Sequence, residues 1–209
     1  APEATFDVAQ TATEDAASIQ GQLTSKDADA TDTVSYSLLG ADIPGLTINA
    51  NGSWEFKPAD SAYQGLANGD TQTITVNYSV TDSSFATDTN SFDITLTGTN
   101  DIPVVDITAI SNLAGGAEDT PYTITKAQLL AGFSDADRNA TTGEQQALEI
   151  NGLTATTTDA NDLPVSVGTF TLNQSGTSWT FTPSDNFNGT VNLNYNVTDG
   201  IDTTEATNS

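Results

Sequence analysis

The chain contains no cysteine, no methionine and no histidine. Without cysteine, neither disulfides nor zinc–thiolate sites can staple the fold. Without histidine it lacks the commonest general base, every Ser-His-Asp or Cys-His arrangement and the usual transition-metal ligand. Basic residues are almost as scarce: 4 Lys plus Arg stand against 28 Asp plus Glu, a formal net charge of −24. Such a chain repels nucleic acid and anionic membrane surfaces, so neither is an expected partner. No apolar run approaches the ~20 residues of a membrane-spanning helix, and no basic-then-apolar signal pattern opens the sequence. The chain reads as an internal piece of something longer.

What is present is strand chemistry. Ile74, Val76, Tyr78 and Val80 alternate with Thr75, Asn77, Ser79 and Thr81. Phe92, Ile94 and Leu96 alternate with Asp93, Thr95 and Thr97, and Val191, Leu193, Tyr195 and Val197 alternate with polar residues in the same way. A period of two with one apolar face marks half-buried antiparallel strands. Asn-Gly pairs and Asp-rich breaks punctuate them, as at Asn51-Gly52 before Trp54. One stretch, Thr125 to Phe133, predicts a short helix with Thr125 as its N-cap. With 209 residues, two modules of ordinary size are expected, each able to bury its own core.

The sequence repeats itself. Ser53-Trp54-Glu55-Phe56-Lys57-Pro58-Ala59-Asp60 matches Ser178-Trp179-Thr180-Phe181-Thr182-Pro183-Ser184-Asp185. Val76 to Asp82 matches Leu193 to Asp199, Glu14-Asp15 matches Glu118-Asp119, and Asp27-Ala28-Asp29 matches Asp135-Ala136-Asp137. Four motifs in one order, with variable spacing between them, indicate tandem beads with strands kept and loops varied. Strand pattern gives way to turn chemistry at Gly98 to Pro103, so the modules are expected at 1–102 and 103–209.

The residues resemble two known families of bacterial exoprotein repeats. NGSWEF at 51–56, VNYSVTD at 76–82 and LTGTNDIPV at 96–104 make the first module similar to a VCBS-type repeat. AEDTPYTITKAQLL at 117–130, FSDAD at 133–137, WTFTP at 179–183 and NFNGTVNLNYNVTDG at 186–200 make the second similar to bacterial cadherin-like repeats. The resemblance implies tandem immunoglobulin/cadherin-like antiparallel β-sandwiches. It also implies a secreted or cell-surface context, in large RTX-type adhesins whose repeats extend and space other domains, supporting adhesion or biofilm formation.

The acids that recur in both modules point to calcium. Calcium takes six to eight oxygen ligands, which strand ends and loops at one pole of a sandwich can pool. Asp27, Asp29 and Asp82 form such a set, and Asp135, Asp137 and Asp199 occupy the matching places in the second module. Glu14-Asp15 and Asn100-Asp101 are candidates for the opposite pole of the first module. The cadherin resemblance implies an inter-module grouping of Glu14, Asn100, Asp101, Asp135, Asp137 and Asp199, with Asp60 as a looser match. It leaves Asp27, Asp29 and Asp82 to a joint with a preceding module. The linker departs from the fuller cadherin pattern, with Thr97 in place of its leading Asp and Ile102 in place of its last Asn. The competing reading of the Asp pairs is Asx-turn capping at strand ends. An EF-hand starting at Asp135 fails, because Ala140 and Gln146 stand where Gly and Glu are required.

Other candidate sites reduce to structure. Trp54 with Phe56 and Trp179 with Phe181 lie two apart on one strand face, as core residues do. No pair of acids is singled out for glycoside hydrolysis, and the chain is expected not to be an enzyme. After Asp199 the second module reaches only Thr207-Asn208-Ser209, so its last strand is expected to be missing, through truncation or through an inserted domain. The expected function is a calcium-rigidified, monomeric spacer in a secreted adhesin, partnered by neighbouring repeats. The alternatives are a module binding a surface glycan or protein directly, a split scaffold around an inserted domain, or an accessory module of a large extracellular enzyme. A binding role would rest on Arg138 to Gln146 or Thr154 to Leu163.

Overall fold

In the computed structural model, residues 1–29, 32–138, 142–158 and 163–209 are described. The candidate binding stretches at 138–146 and 154–163 therefore lie partly outside the described residues, as does Ala140. The chain folds as two compact units, Ala1–Asp101 with Asp137–Glu144, and Ile102–Ala136 with Gln145–Ser209.

The first unit holds β1 (Pro2–Ala4), β2 (Gln10–Thr13), β3 (Ile19–Gln22), β4 (Ser25–Asp27), β5 (Val34–Leu38), β6 (Leu46–Ile48), β7 (Ser53–Phe56), β8 (Thr71–Asp82) and β9 (Thr87–Thr97). One sheet has the order β2-β9-β8-β5, a second β3-β7-β6, and β1 pairs with β4. The alternation in β8 buries Ile74, Val76, Tyr78 and Val80 and exposes most residues between them. β9 does the same with Phe92, Ile94 and Leu96. These residues meet Trp54 and Phe56 of the facing sheet, with the Trp54 and Phe92 rings 5.2 Å apart. A β-carbon on Gly21 would come within 2.5 Å of the Trp54 ring, so the indole needs a bare backbone opposite it. The Asn51-Gly52 turn closes the hairpin before Trp54, with Gly52 at φ +85°.

Among the described residues, all but one of the strand pairs are antiparallel. The exception is β2, which runs parallel to β9 from Gln10↔Ile94 to Thr13↔Thr97. It follows from β1 being held on β4 while the chain crosses to the other sheet before β2 begins. The Tyr78 hydroxyl pins that crossing. It donates to the Phe6 carbonyl at 2.9 Å and accepts from the Phe6 amide at 3.0 Å.

The second unit holds β10 (Val104–Val105), β11 (Tyr122–Thr125), α1 (Lys126–Leu129), β12 (Phe133–Ser134), β13 (Glu149–Thr158), β14 (Pro164–Ser166), β15 (Gly168–Leu172), β16 (Ser178–Pro183), β17 (Asn192–Thr198) and β18 (Thr203–Asn208). Its sheets run β14-β13-β17-β18 and β11-β16-β15, and β10 pairs with β12. Ile124, Trp179, Phe181, Leu193, Tyr195 and Val197 form the core. The helix begins as expected, with Thr125 and Gln128 forming a reciprocal capping box. It is shorter than the stretch to Phe133, because Gly132 at φ +86° turns the chain tightly against the Asp106 carbonyl.

The expected shortfall at the end of this unit is partial. β18 is there and pairs with β17 from Thr198↔Thr203 to Leu193↔Asn208. It has 6 residues where β9 has 11. The residues before Glu118, which correspond to β2, form no strand.

Candidate metal centre

Strand parity decides where the carboxylates go. In β8 the inward series Ile74, Val76, Tyr78, Val80 continues by one step to Asp82, which is therefore buried at the strand's end. In the second unit Leu193, Tyr195 and Val197 lead in the same way to buried Asp199. After β2, where Ala12 faces inward, the next inward place is Glu14, only 1% exposed. Buried carboxylates are costly unless paired or bound to cations, so each of these positions demands a physical account.

At one pole of the first unit, Asp27, Asp32 and Asp82 each offer a carboxylate oxygen, and these oxygens lie within 4.8 Å of one another. Asp82 Oδ1 accepts the Ser84 amide at 2.9 Å and the Ala86 amide at 2.8 Å, fixing the β8–β9 hairpin. Its other oxygen, Oδ2, is 3.8 Å from the Ala1 ammonium. Asp27 Oδ1 accepts the Asp29 amide at 2.9 Å and lies 3.3 Å from the same ammonium. Asp27 Oδ2 is buried and accepts no hydrogen bond. Asp32 accepts from the Ser83 hydroxyl at 2.9 Å. The Asp29 amide bond and then the ammonium hold the Asp27 carboxyl below its ordinary range, against the cost of desolvation.

Of the residues read from the sequence for this pole, Asp27 and Asp82 are brought together. Asp29 lies outside the group of three, its side chain 69% exposed and its Oδ2 3.8 Å from the ammonium. Asp32 was not singled out from the sequence. Its signal is there, as a third acid shortly after Asp27 and Asp29, but no alternation around it would aim it inward.

Glu14 stands elsewhere in the first unit. Its Oε2 accepts the Thr99 amide at 3.0 Å, and its Oε1 is buried with no hydrogen-bond partner. Burial pushes its carboxyl above the ordinary carboxylate range; the Thr99 amide opposes this, and Asp101 and Asp15 add to it. Asp15, in the left-handed region at φ 59°, accepts from Gln64 at 2.9 Å. The Asp101 amide donates to Asp137 Oδ2 at 3.2 Å, and Asn100 donates to the Asp101 carbonyl at 2.9 Å. Glu14, Asn100, Asp101 and Asp137 thus all belong to the first unit, and Asp137 is fully buried. Asp60 spends Oδ1 on the Ala62 amide of its own turn, and the neighbours of Glu14-Asp15 from that loop are Gln64 and the Leu66 amide.

In the second unit Asp135 is 4% and Asp199 8% exposed. Asp199 Oδ1 accepts the Ile201 amide at 2.6 Å and the Asp202 amide at 2.7 Å, repeating the role of Asp82. Asx-turn capping therefore explains one oxygen of each of these aspartates. It does not explain Asp27 Oδ2 or Glu14 Oε1, which are buried oxygens without a hydrogen-bond partner. Every donor in these groups is oxygen, the set that suits calcium and not zinc or copper.

Trp54 with Phe56 and Trp179 with Phe181 are buried core residues, as their spacing predicts. No helix among the described residues is long and apolar enough to cross a membrane.

Comparison with known proteins follows the internal repeat. A family model described as a cadherin-like domain matches residues 99–209, and one described as a bacterial Ig domain matches residues 1–95. No curated protein sequence matches the chain. Among solved structures, the chain is similar to the extracellular cadherin domains 1–5 of protocadherin gamma B2. That match has 14% identity and a TM-score of 0.55, covering 99% of this chain and 37% of that one. It is also similar to cadherin domains 1–4 of protocadherin gamma B7, at 17% identity and a TM-score of 0.53, covering 100% and 49%. At these identities the likeness shows the fold alone, and the chain spans about half the length or less of those structures. A fucoidan hydrolase of glycoside hydrolase family 107 also matches, but at a TM-score of 0.36, which carries no argument. Cadherin-like and bacterial Ig domains are typically extracellular, non-catalytic modules of adhesion proteins, and cadherin-like domains generally bind calcium. With its matched region covering more than half of the sequence, this chain belongs to the cadherin-like domain family.

Proposed function

We propose that the chain is a non-catalytic, calcium-binding spacer from a large secreted or surface-bound bacterial adhesin, built of two modules at 1–102 and 103–209. The first has VCBS-type character, and the protein is of the RTX type that supports adhesion and biofilm formation. Neighbouring repeats of the same polypeptide are its partners. The observation that carries the reading is the Asp27, Asp32 and Asp82 group, with oxygens within 4.8 Å of one another and Asp27 Oδ2 buried without a donor. Like charges this close repel strongly, and at an effective dielectric of ~20 two of them 4 Å apart cost about 4 kcal/mol. A divalent cation converts that repulsion into a clamp across β4, the loop after it and the end of β8, which is how calcium would rigidify the pole. Asp29 is a further ligand at its rim. Glu14, Asn100, Asp101 and Asp137 in the first unit, and Asp135 and Asp199 in the second, are the other calcium-ligand candidates.

Thermal melting in calcium and in EDTA tests the proposal. An ion bound by the folded state alone stabilises by RT ln(1 + [L]/Kd), roughly 2.7 kcal/mol at a hundred times Kd. The melting midpoint is expected to rise in millimolar calcium and to return in EDTA. An unchanged midpoint defeats the reading.

A further inference from the structure

Phe85 stands at the tip of the β8–β9 hairpin and is 88% exposed, more than any other large apolar residue among the described ones. Its backbone lies in the left-handed region at φ 66°, where a bulky residue is an outlier. Such strain persists only where the surroundings enforce it, and it gathers at switch segments. A ring this exposed gains little from packing, so the enforcement comes from hydrogen bonds. The Phe85 amide donates to the Asp82 carbonyl at 3.1 Å, and the Asp82 amide donates to the Ala86 carbonyl at 3.0 Å. Asp82 Oδ1 accepts the Ser84 and Ala86 amides on either side, and the Ser83 hydroxyl donates to Asp32. Every one of these bonds involves Asp82 or Asp32, two of the three members of the carboxylate group. A separate feature marks that group as a ligand site: the Asp27 side chain is only 10% exposed, and its Oδ2 has no hydrogen-bond partner. The matched hairpin of the second unit differs. There Asp199 accepts the Ile201 and Asp202 amides, and the left-handed place falls to Gly200 at φ 102°, where it costs little.

We propose that residues 83–86 form a calcium-gated tip, which presents the Phe85 ring in one fixed direction only when the carboxylate group holds its cation. This rests on the calcium reading above and adds a moving part to it. In the calcium-free chain Asp27, Asp32 and Asp82 repel one another. Asp32 and Asp82 can move apart only by pulling on the hydrogen bonds that hold the tip. The strain at Phe85 favours release, so the tip loosens and Phe85 leaves the left-handed region. A bound cation draws the carboxylates together, fixes the acceptors and enforces the strained conformation. The strain thus sets the sensitivity of the device, because it lowers the difference in free energy between the held and the released tip. Gly200 supplies no such bias in the second unit.

Amide nitrogen relaxation of the intact labelled chain, in calcium and in EDTA, tests the proposal, with calorimetric titration of the same sample reporting calcium binding. The order parameters of the Ser84, Phe85 and Ala86 amides are expected at about 0.85 in calcium and below about 0.6 in EDTA, the rigid and flexible ranges. Phe85→Asn introduces a residue that tolerates the left-handed region. It is expected still to bind calcium and to lose distinctly less order in EDTA. Asp82→Asn keeps the amide acceptor and removes the charge, so its tip is expected to stay ordered in EDTA and to show no response to calcium. A chain that binds calcium with the same order parameters in both conditions overturns the proposal and leaves the calcium reading standing. A chain that binds no calcium overturns both. Loss of order as large in Phe85→Asn as in the unsubstituted chain also overturns the gated tip, since strain would then play no part.

Discussion

The two units apply one sequence plan to different degrees of closure. In the first, β9 runs 11 residues along β8 and brings β2 onto its far edge. Tyr78 locks the incoming chain at Phe6, and three apolar residues of β9 seal the core. In the second, β18 runs 6 residues, the β2 equivalent is not a strand, and an apolar groove takes the place of the seal. Its tyrosine, Tyr195, donates instead to the Leu129 carbonyl at the end of α1. The acidic positions survive the difference, because Asp82 and Asp199 are placed by parity along the strand just before them, which both units share.

Truncation of matched core phenylalanines gives the largest effect and sharpens that contrast. Phe56→Ala empties a fully buried site, and a cost of about 3–5 kcal/mol in denaturant unfolding is expected. Phe181→Ala, at the groove, is expected to cost distinctly less, since that side chain already borders space. Equal costs would show the groove to be closed in solution.

Next in size is Asp82→Asn. It keeps an oxygen for the Ser84 and Ala86 amides while removing a charge from the cluster. The calcium-dependent stabilisation from this pole, of order 2.7 kcal/mol at a hundred times Kd, is expected to disappear with the fold intact. Should Asp82→Asn melt with undiminished calcium response, the cation lies elsewhere.

The smallest effects are in pH dependence, and the two poles differ in sign. Glu14 has a folded-state value above its ordinary one, so the folded state holds its proton more tightly. Without calcium, that group costs stability above the raised value, and the cost is relieved as pH falls through it. Glu14→Gln is expected to remove this slope and to raise calcium-free stability at neutral pH. Asp27 is shifted downward. Its contribution is present above the ordinary aspartate range and is lost as pH falls toward the depressed folded value, so Asp27→Asn is expected to flatten the acid limb. Unfolding curves in EDTA across pH 3 to 7, roughly the span of these carboxyl groups, would separate the two signs.

Much of this was legible in the sequence, and the reason is periodicity. The alternation from Ile74 to Val80 fixes a strand and a buried face, and extending it one step places Asp82 inside. Thr125 with Gln128 announces the helix start. What escaped reading lacks a period. Gln10–Thr13 has one buried residue and gives no hint of parallel pairing. Pro164–Ser166 is exposed at every position and forms a strand only because β13 offers an edge. Asp32 belongs to no alternating pattern that would place it beside Asp27 and Asp82, and Asp60 matched a repeat position while serving its own turn.

The central claim is that the buried carboxylate oxygens of the first unit form a calcium site. Calorimetric titration of the calcium-free chain with calcium, beside Asp27→Asn and Asp82→Asn, tests it most directly. The account predicts saturable binding by the unsubstituted chain and loss of the same binding step in both variants. Titration curves that are flat, or that are identical in all three proteins, would contradict it.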